Sequence, residues 1–243
     1  MSAYGTVTRT WTATFPLSST IWTTSANPQK HITIHHLRLD SAPPELVKFL
    51  STVFAEEVAD GRTYPQEGFF DLQAFENYFL AEDLLVGILT SDSLLQRDFR
   101  GSTPSNVMET TVSIDEARNG RTWEECVIGC YYVKPNYPGR SSHICNAGFL
   151  VPPIRRKGGF GSILAKSYLH YAPKLGYRAS VFNLVYVNND ASMRLWERLG
   201  FTKVGRIPQA GRLRRKDGKG EEYVDALVVY KSFIDEEQEP NAV

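Results

Sequence analysis

The residues best suited to chemistry stand close together in one run. Arg156-Lys157-Gly158-Gly159-Phe160-Gly161 has the form R-x-x-G-x-G and leads straight into Ile163, Leu164, Ser167, Tyr168 and Tyr171, apolar positions at helical spacing. A glycine-rich turn that opens a helix exposes backbone N–H groups where the helix dipole favours a phosphate. Glycine lets the main chain approach the anion closely, and Arg156 and Lys157 add positive charge. The same residues also fit a plain turn before a helix. They do not form a Walker loop, because no Lys-Ser/Thr follows the last glycine, and the ribose-binding carboxylate of a Rossmann unit is missing.

Two other sets invite a metal and fail on spacing. Cys126, Cys130, His143 and Cys145 do not have the C-x2-C spacing of a zinc knuckle, and in apparently apolar strands they read as core. Cys145 has no carboxylate in view that would orient a histidine for nucleophilic catalysis. His35 and His36 are adjacent on a strand, so they point to opposite faces. No metal is expected.

The elements around the glycine turn follow from periodicity. His143 to Val151 reads as a strand stopped by Pro152-Pro153, and Ser180 to Val187 as a second, buried strand. Asn188-Asn189 then caps a helix that carries Leu195 and Trp196 and ends at Gly200. Upstream, Thr6 to Phe15 alternates apolar and polar residues like a half-buried strand, Ser18 to Lys30 reads as a linker, and His31 to Leu39 alternates again. Pro43-Pro44 opens a helix with Leu46, Leu50, Val53, Phe54 and Val58 on one face, stopped at Asp60-Gly61. Arg62 to Gly68 is a loop, Phe70 to Leu80 a second amphipathic helix, and Leu84 to Thr90 a strand. Residues 91–125 form a long polar stretch, read as an insertion between neighbouring strands. Val127 to Val133, apolar on both faces, suits a central strand, and Lys134 to Arg140 reads as a turn. Thr202 to Pro208 and Glu222 to Tyr230 flank Asp217-Gly218, a hairpin signal. The cluster Arg212, Arg214, Arg215, Lys216 and Lys219 there reads as a charged turn or as an attractor for a nucleotide phosphate. Residues 235–243 are acidic and expected to fray.

Composition sets the outer limits. The 243 residues are 42% hydrophobic, with 27 basic and 27 acidic side chains. A zero net charge argues against a general nucleic-acid binder, and no apolar run reaches membrane-span length. Three cysteines in a chain this large point to a reducing compartment, the cytoplasm first, with nucleus and mitochondrion left open. Residues 1–39 lack Asp and Glu and are rich in Ser and Thr, as mitochondrial presequences are, but contain only Arg9 and Arg38, and the alternation favours a strand. One domain over 1–243 is expected, and association of two copies is left open.

The order strand, R-x-x-G-x-G, helix, strand, Asn, helix, ending in Leu199-Gly200-Phe201, resembles the GCN5-related N-acetyltransferase (GNAT) superfamily. That resemblance implies an α/β fold, a mixed central sheet with splayed middle strands flanked by helices, and acetyl-CoA as co-substrate. YVKPNY (132–137), SHICNAGFLV (142–151), LGYRASVFNLVYVNN (175–189), IPQAG (207–211) and GRTYPQ (61–66) look like the fungal acetyltransferases that act on the proline analogue azetidine-2-carboxylate. The resemblance covers a little over a third of the chain. It implies that residues 155–161, with Arg156, Lys157, Gly158, Gly159 and Gly161, hold the pyrophosphate. Phe149 would offer its N–H to the acetyl carbonyl, with Val151 beside the cofactor. Asn146 would recognise the acceptor, and the amides of Asn183 and Leu184 its carboxylate. Asn189 would lie at the acetyl-CoA sulfur. Many superfamily members place a tyrosine acid seven residues further on; here Trp196, which has no acidic proton, occupies that place, so the catalytic assignment falls on Asn189. The implied acceptor is a small cyclic imino acid, azetidine-2-carboxylate or a proline relative such as pyrroline-5-carboxylate, with a role in detoxification and oxidative-stress tolerance. A protein or histone acetyltransferase, or a non-catalytic acetyl-CoA-binding module, are the alternatives.

Overall fold

A computed structural model describes residues 8–23, 31–90 and 107–234. In chain order the elements are β1 (Ser19–Thr23), β2 (His31–Leu37), α1 (Pro44–Asp60), α2 (Leu72–Phe79), β3 (Asp83–Thr90), β4 (Met108–Thr110), α3 (Ile114–Arg118), α4 (Trp123–Cys126), β5 (Val127–Pro135), β6 (Ile144–Leu150), α5 (Phe160–Lys174), β7 (Ala179–Tyr186), α6 (Asp190–Arg198), β8 (Thr202–Arg214) and β9 (Glu221–Ser232). The strands form one mixed sheet in the order β4-β1-β2-β3-β5-β6-β7-β9-β8.

Alternation along the strands feeds two cores. Leu84, Val86, Cys130 and Tyr132 face α1 and α2 and pack with Leu46, Leu50, Phe54, Phe75 and Phe79. Leu85, Tyr131 and Val133 face the other way, against Leu164, Tyr168 and Tyr171 of α5. β5 is therefore apolar on both faces because both are covered. Local chemistry sets the helix ends. Pro44 begins α1 and Gly61, at φ 67°, ends it. Asp71 caps α2 on Ala74 N, and Ser113 with Glu116 and Thr122 with Glu125 form capping boxes on α3 and α4.

The site-forming feature is the β6–β7 junction. The two strands pair in parallel only at Ile144↔Ala179 and Cys145↔Ser180, then part. Tyr168 closes the paired end: its hydroxyl donates to Ser180 Oγ at 2.6 Å and lies 3.0 Å from Cys145 Sγ. Beyond that point β5 still holds β6 as far as Leu150, while β9 holds β7. The splay thus opens inside an otherwise continuous sheet.

Several expectations change. Residues 8–18 form no strand, although their alternation is real: Arg9, Trp11, Ala13, Phe15 and Leu17 turn inward between exposed neighbours. Side chains anchor the segment where a ladder would otherwise do so. Trp11 Nε1 donates to Leu175 O at 2.9 Å, and Arg9 reaches Asp83. Period two reports an extended chain with one side against the protein, whether or not it has a strand partner. Within the expected linker, residues 19–23 are the strand β1. Residues 107–126 carry β4, α3 and α4. β5 runs on to Pro135, and β8 extends to Arg214. Cys126 ends a helix and His143 precedes β6. The parts of these readings on 1–7, 24–30, 91–106 and 235–243 lie outside the described residues.

Candidate acyl-transfer site

A cavity of ≈ 790 Å³ occupies the splay, with β6 from Asn146 to Val151 on one wall and β7 from Phe182 to Tyr186 on the other. The ladder phase of β6 decides what that wall offers. Asn136 N donates to Ile144 O at 2.8 Å, so Ile144 belongs to a hydrogen-bonded pair with β5. Such pairs alternate along an antiparallel ladder, so Asn146, Gly148 and Leu150 also bond to β5. The main-chain groups of Ala147, Phe149 and Val151 consequently point into the gap. Tyr64 confirms this at one atom, since its hydroxyl donates to Phe149 O at 2.8 Å from the cavity side. The N–H of Phe149 faces the same way.

Across the gap, β7 slips register against β9 between Phe182 and Val185, a bulge that adds one residue. It turns Asn183 and Leu184 out of the ladder, and Leu184 is left exposed beside the cavity. Gly148 has its own constraint: a Cβ there would lie 2.5 Å from the Tyr132 ring, so glycine is what seats Tyr132 in the wall.

The glycine turn enters the cavity through Lys157, Gly159 and Gly161. Gly159 sits at φ 78° as the N-cap of α5, which has no side-chain cap. Its first N–H groups are therefore left for a ligand. A Cβ on Gly161 would meet nothing within 4 Å, so protein packing does not require that glycine. A cradle kept open in this way fits the pyrophosphate of acetyl-CoA. Gly158 is needed internally, because a Cβ there would strike Phe160 at 2.7 Å. Arg156 also lines the cavity, with its guanidinium engaged by protein groups. It pairs with Glu57 of α1, and its Nε donates to Val151 O at 3.3 Å.

Asn189 caps α6, its Oδ1 accepting from Ser192 N at 3.1 Å, and it lines the cavity. With the oxygen used, the Nδ2 donors remain. Trp196 donates its indole N–H to Ser192 Oγ at 3.0 Å and packs among Phe149, Phe182 and Phe201. It is a wall and holds no proton to transfer. The three asparagines of the sequence reading thus reach one cavity.

Sequence reasoning missed five contributors. Glu57 lies on the apolar face of α1, seven residues after Leu50, and an acid in that register was the available signal. Its Oε1 also accepts from Thr63 Oγ1 at 2.5 Å. Asn136 stands behind Asn146 and Asn183, in a stretch that reads as a turn. Tyr78 and Tyr132 line the wall with hydroxyls 3.2 Å apart. Lys134 lies 4.1 Å from both of those ring centroids and donates to Tyr78 O at 2.9 Å, and burial pushes its ammonium down to about 8.

The rejected chemistries stay apart from the cavity. Cys145 is fully buried, and burial first of all pushes its thiol up to about 12. Among the described residues, no group of three or more His, Cys, Asp or Glu could hold a metal ion. The basic hairpin cluster is partly paired: Arg212 meets Glu67 at 2.8 Å and Glu221 at 3.2 Å, and Arg215 meets Asp217 at 3.5 Å. The basic residues along the cavity are instead Arg62, Arg156, Lys157 and Arg198.

Known proteins resemble this chain in sequence and in fold. The model of the Acetyltransferase (GNAT) family matches residues 93–201. The N-acetyltransferase aca1 of Schizosaccharomyces pombe is 41% identical over 189 residues, 78% of this chain and 81% of that protein. Protein SPT10 of Saccharomyces cerevisiae is 31% identical over 80% of this chain, which spans 32% of its length. Among solved structures, a GCN5-related N-acetyltransferase from Kribbella flavida superposes with a TM-score of 0.58 at 22% identity, over 82% of this chain and 97% of that one. The Salmonella typhimurium protein yncA, solved with acetyl-CoA, gives 0.58 at 18% identity, over 87% and 99%. The chain belongs to the GNAT acetyltransferase family. It is an N-acetyltransferase whose acetyl donor is acetyl-CoA.

Proposed function

We propose that this enzyme acetylates the ring nitrogen of a small cyclic imino acid, azetidine-2-carboxylate or a proline-related metabolite such as pyrroline-5-carboxylate, and so serves in detoxification of toxic analogues and tolerance of oxidative stress. The observation that carries this reading is the neutral, asparagine-lined inner end of the cavity, where Asn146 and the Asn183–Leu184 bulge face each other across the splay. A small zwitterion needs a few convergent polar groups in a confined space. Among the described residues, the single acid lining the cavity, Glu57, is already paired with Arg156, so these residues offer a basic protein tail no anionic groove.

In this reading the α5 N-terminus, with Gly159, Gly161 and Lys157, holds the pyrophosphate, and Phe149 N–H polarises the acetyl carbonyl. The amides of Asn183 and Leu184 bind the acceptor carboxylate. The neutral nitrogen attacks the carbonyl carbon as an N–C bond forms, the C–S bond breaks, and the sulfur leaves as thiolate. Asn189 Nδ2 donates a hydrogen bond to that sulfur, and the amine proton passes to solvent. Catalysis is mainly by positioning and hydrogen bonding.

A thiol-release assay with acetyl-CoA and a panel of azetidine-2-carboxylate, proline, pyrroline-5-carboxylate and a histone peptide tests the reading. Release is expected with the cyclic imino acids and not with the peptide; release with the peptide alone overturns it. With no side-chain base, kcat/KM for azetidine-2-carboxylate should climb about tenfold per pH unit until the acceptor amine is itself neutral. A plateau near neutral pH would reveal a base on the protein.

A further inference from the structure

Asn136 takes no part in lining the cavity, yet it holds two of the asparagines that do, Asn146 and Asn183. It is 8% exposed, at the end of β5 where the chain turns toward β6. Its Oδ1 accepts from Asn146 Nδ2 at 3.2 Å and from Asn183 Nδ2 at 2.6 Å. Its Nδ2 donates to Asn183 Oδ1 at 3.2 Å. Tyr137 OH donates to the same Asn183 oxygen at 3.5 Å. The Oδ1 of Asn136 thus has both lone pairs in use, and the Asn183 amide is paired reciprocally.

We propose that Asn136 is a positioning residue that fixes the amide of Asn146, so that Asn146 presents its oxygen to the N–H of the acceptor and leaves the nitrogen lone pair free to attack. The inference rests on the imino-acid reading above. A neutral secondary amine has one N–H and one lone pair. If Asn146 were free to turn, its NH2 group could reach the acceptor nitrogen and hydrogen-bond the lone pair, which would suppress the nucleophile. With one Asn146 N–H tied to Asn136, the side chain keeps Oδ1 and a single N–H for the cavity. Asn183 is held in the same way with its side-chain amide spent on Asn136, so it meets the acceptor through its main chain at the bulge. Acceptors with a single N–H next to a carboxylate fit this arrangement.

Side-chain amide spectra give a readout that does not depend on which acceptor is natural. In Asn136→Leu the side-chain 1H–15N signals of Asn146 and Asn183 should move together. In Asn136→Asp, which keeps the oxygen acceptor for Asn146 but loses the donor to Asn183 Oδ1, the Asn146 signal should stay near its wild-type position while that of Asn183 moves. In kinetics, Asn136→Leu should raise KM for azetidine-2-carboxylate at least tenfold, while the acetyl-CoA Kd from calorimetry stays within twofold. Unmoved Asn146 signals in Asn136→Leu, or a parallel loss of acetyl-CoA binding, overturn the inference. If the spectra behave as expected but wild-type enzyme acetylates no imino acid, the acceptor reading fails while the positioning role stands. If Asn136→Leu does not fold, Asn136→Ser, too short to reach both partners, replaces it with the same expected shifts and the same overturning result.

Discussion

At the scale of single residues, Asn189 carries two loads that substitutions can separate. Its oxygen caps α6 and its amide nitrogen is left for the sulfur. Asn189→Ala loses both, so it should cost about 1 kcal/mol of stability and, with a hydrogen bond to a developing thiolate removed, about 10- to 100-fold in kcat. Asn189→Asp keeps an oxygen for Ser192 N but places a carboxylate where a donor is needed. It should stay as stable as wild type and lose at least as much turnover, with the acceptor KM nearly unchanged. Wild-type kcat in Asn189→Asp would remove Asn189 from catalysis and leave it a cap alone. Asn146→Ala should do the reverse, raising the acceptor KM with a smaller change in kcat.

At the scale of elements, the contact between α1 and the turn before α5 bears on cofactor binding. Arg156 is tied to Glu57, and Glu57 to Thr63 of the loop that carries Tyr64. An anion arriving at the glycine turn competes with Glu57 for the guanidinium. Glu57→Gln removes the competitor, and acetyl-CoA should bind about 3- to 10-fold tighter in calorimetry at low salt, a gain of up to about 1.4 kcal/mol, shrinking as salt rises. Weaker binding would mean that Glu57 holds Arg156 where the phosphate needs it. This pairing also shows where the sequence stops being legible. Local signals placed α1, α2, both site strands, α5 and α6, because prolines, glycines and apolar periods act within a few residues, whereas α3 and α4 went unread in a polar stretch despite their capping boxes. Asn146, Asn183 and Asn189 were legible through a resemblance and the glycine turn through its motif. Glu57 and Asn136 depend on contacts 99 and 47 residues apart along the chain, to Arg156 and Asn183, and no local pattern encodes such meetings. The N-terminal alternation misled for a related reason: it records which side of the chain is covered and says nothing of what covers it.

At the scale of the whole molecule, Asp83 ties together parts of the chain that are far from the cavity. It sits at the start of β3 with its side chain fully buried, meeting Arg9 at 2.5 Å, His36 Nε2 at 2.9 Å and Arg38 Nε at 3.0 Å. Leu17 N donates to His36 Nδ1 at 3.0 Å, which puts the imidazole hydrogen on Nε2, toward Asp83. The carboxylate thereby clips the N-terminal segment onto β2 and β3. Burial by itself would raise the Asp83 carboxyl, but the hydrogen bonds from His36 and Arg38 and the charge of Arg9 outweigh it and hold the group below the usual carboxylate range. A carboxyl whose folded value is depressed contributes stability above its unfolded value and loses it as pH falls through the folded one. Asp83→Asn leaves Arg9 buried without its nearest anion, although Glu82 still lies 3.0 Å away. The loss should be about 3 kcal/mol, a fall in Tm at pH 7 of roughly 6–12 °C for a chain of this size. Wild type loses this contribution as pH falls below the unfolded carboxyl value and on through the depressed one, so the gap between the two melting curves should start to narrow below about pH 4. Thermal melts of both proteins from pH 7 to about pH 2 read this directly. A gap that stays constant over that range would mean that the carboxylate's shape matters at this junction and its charge does not.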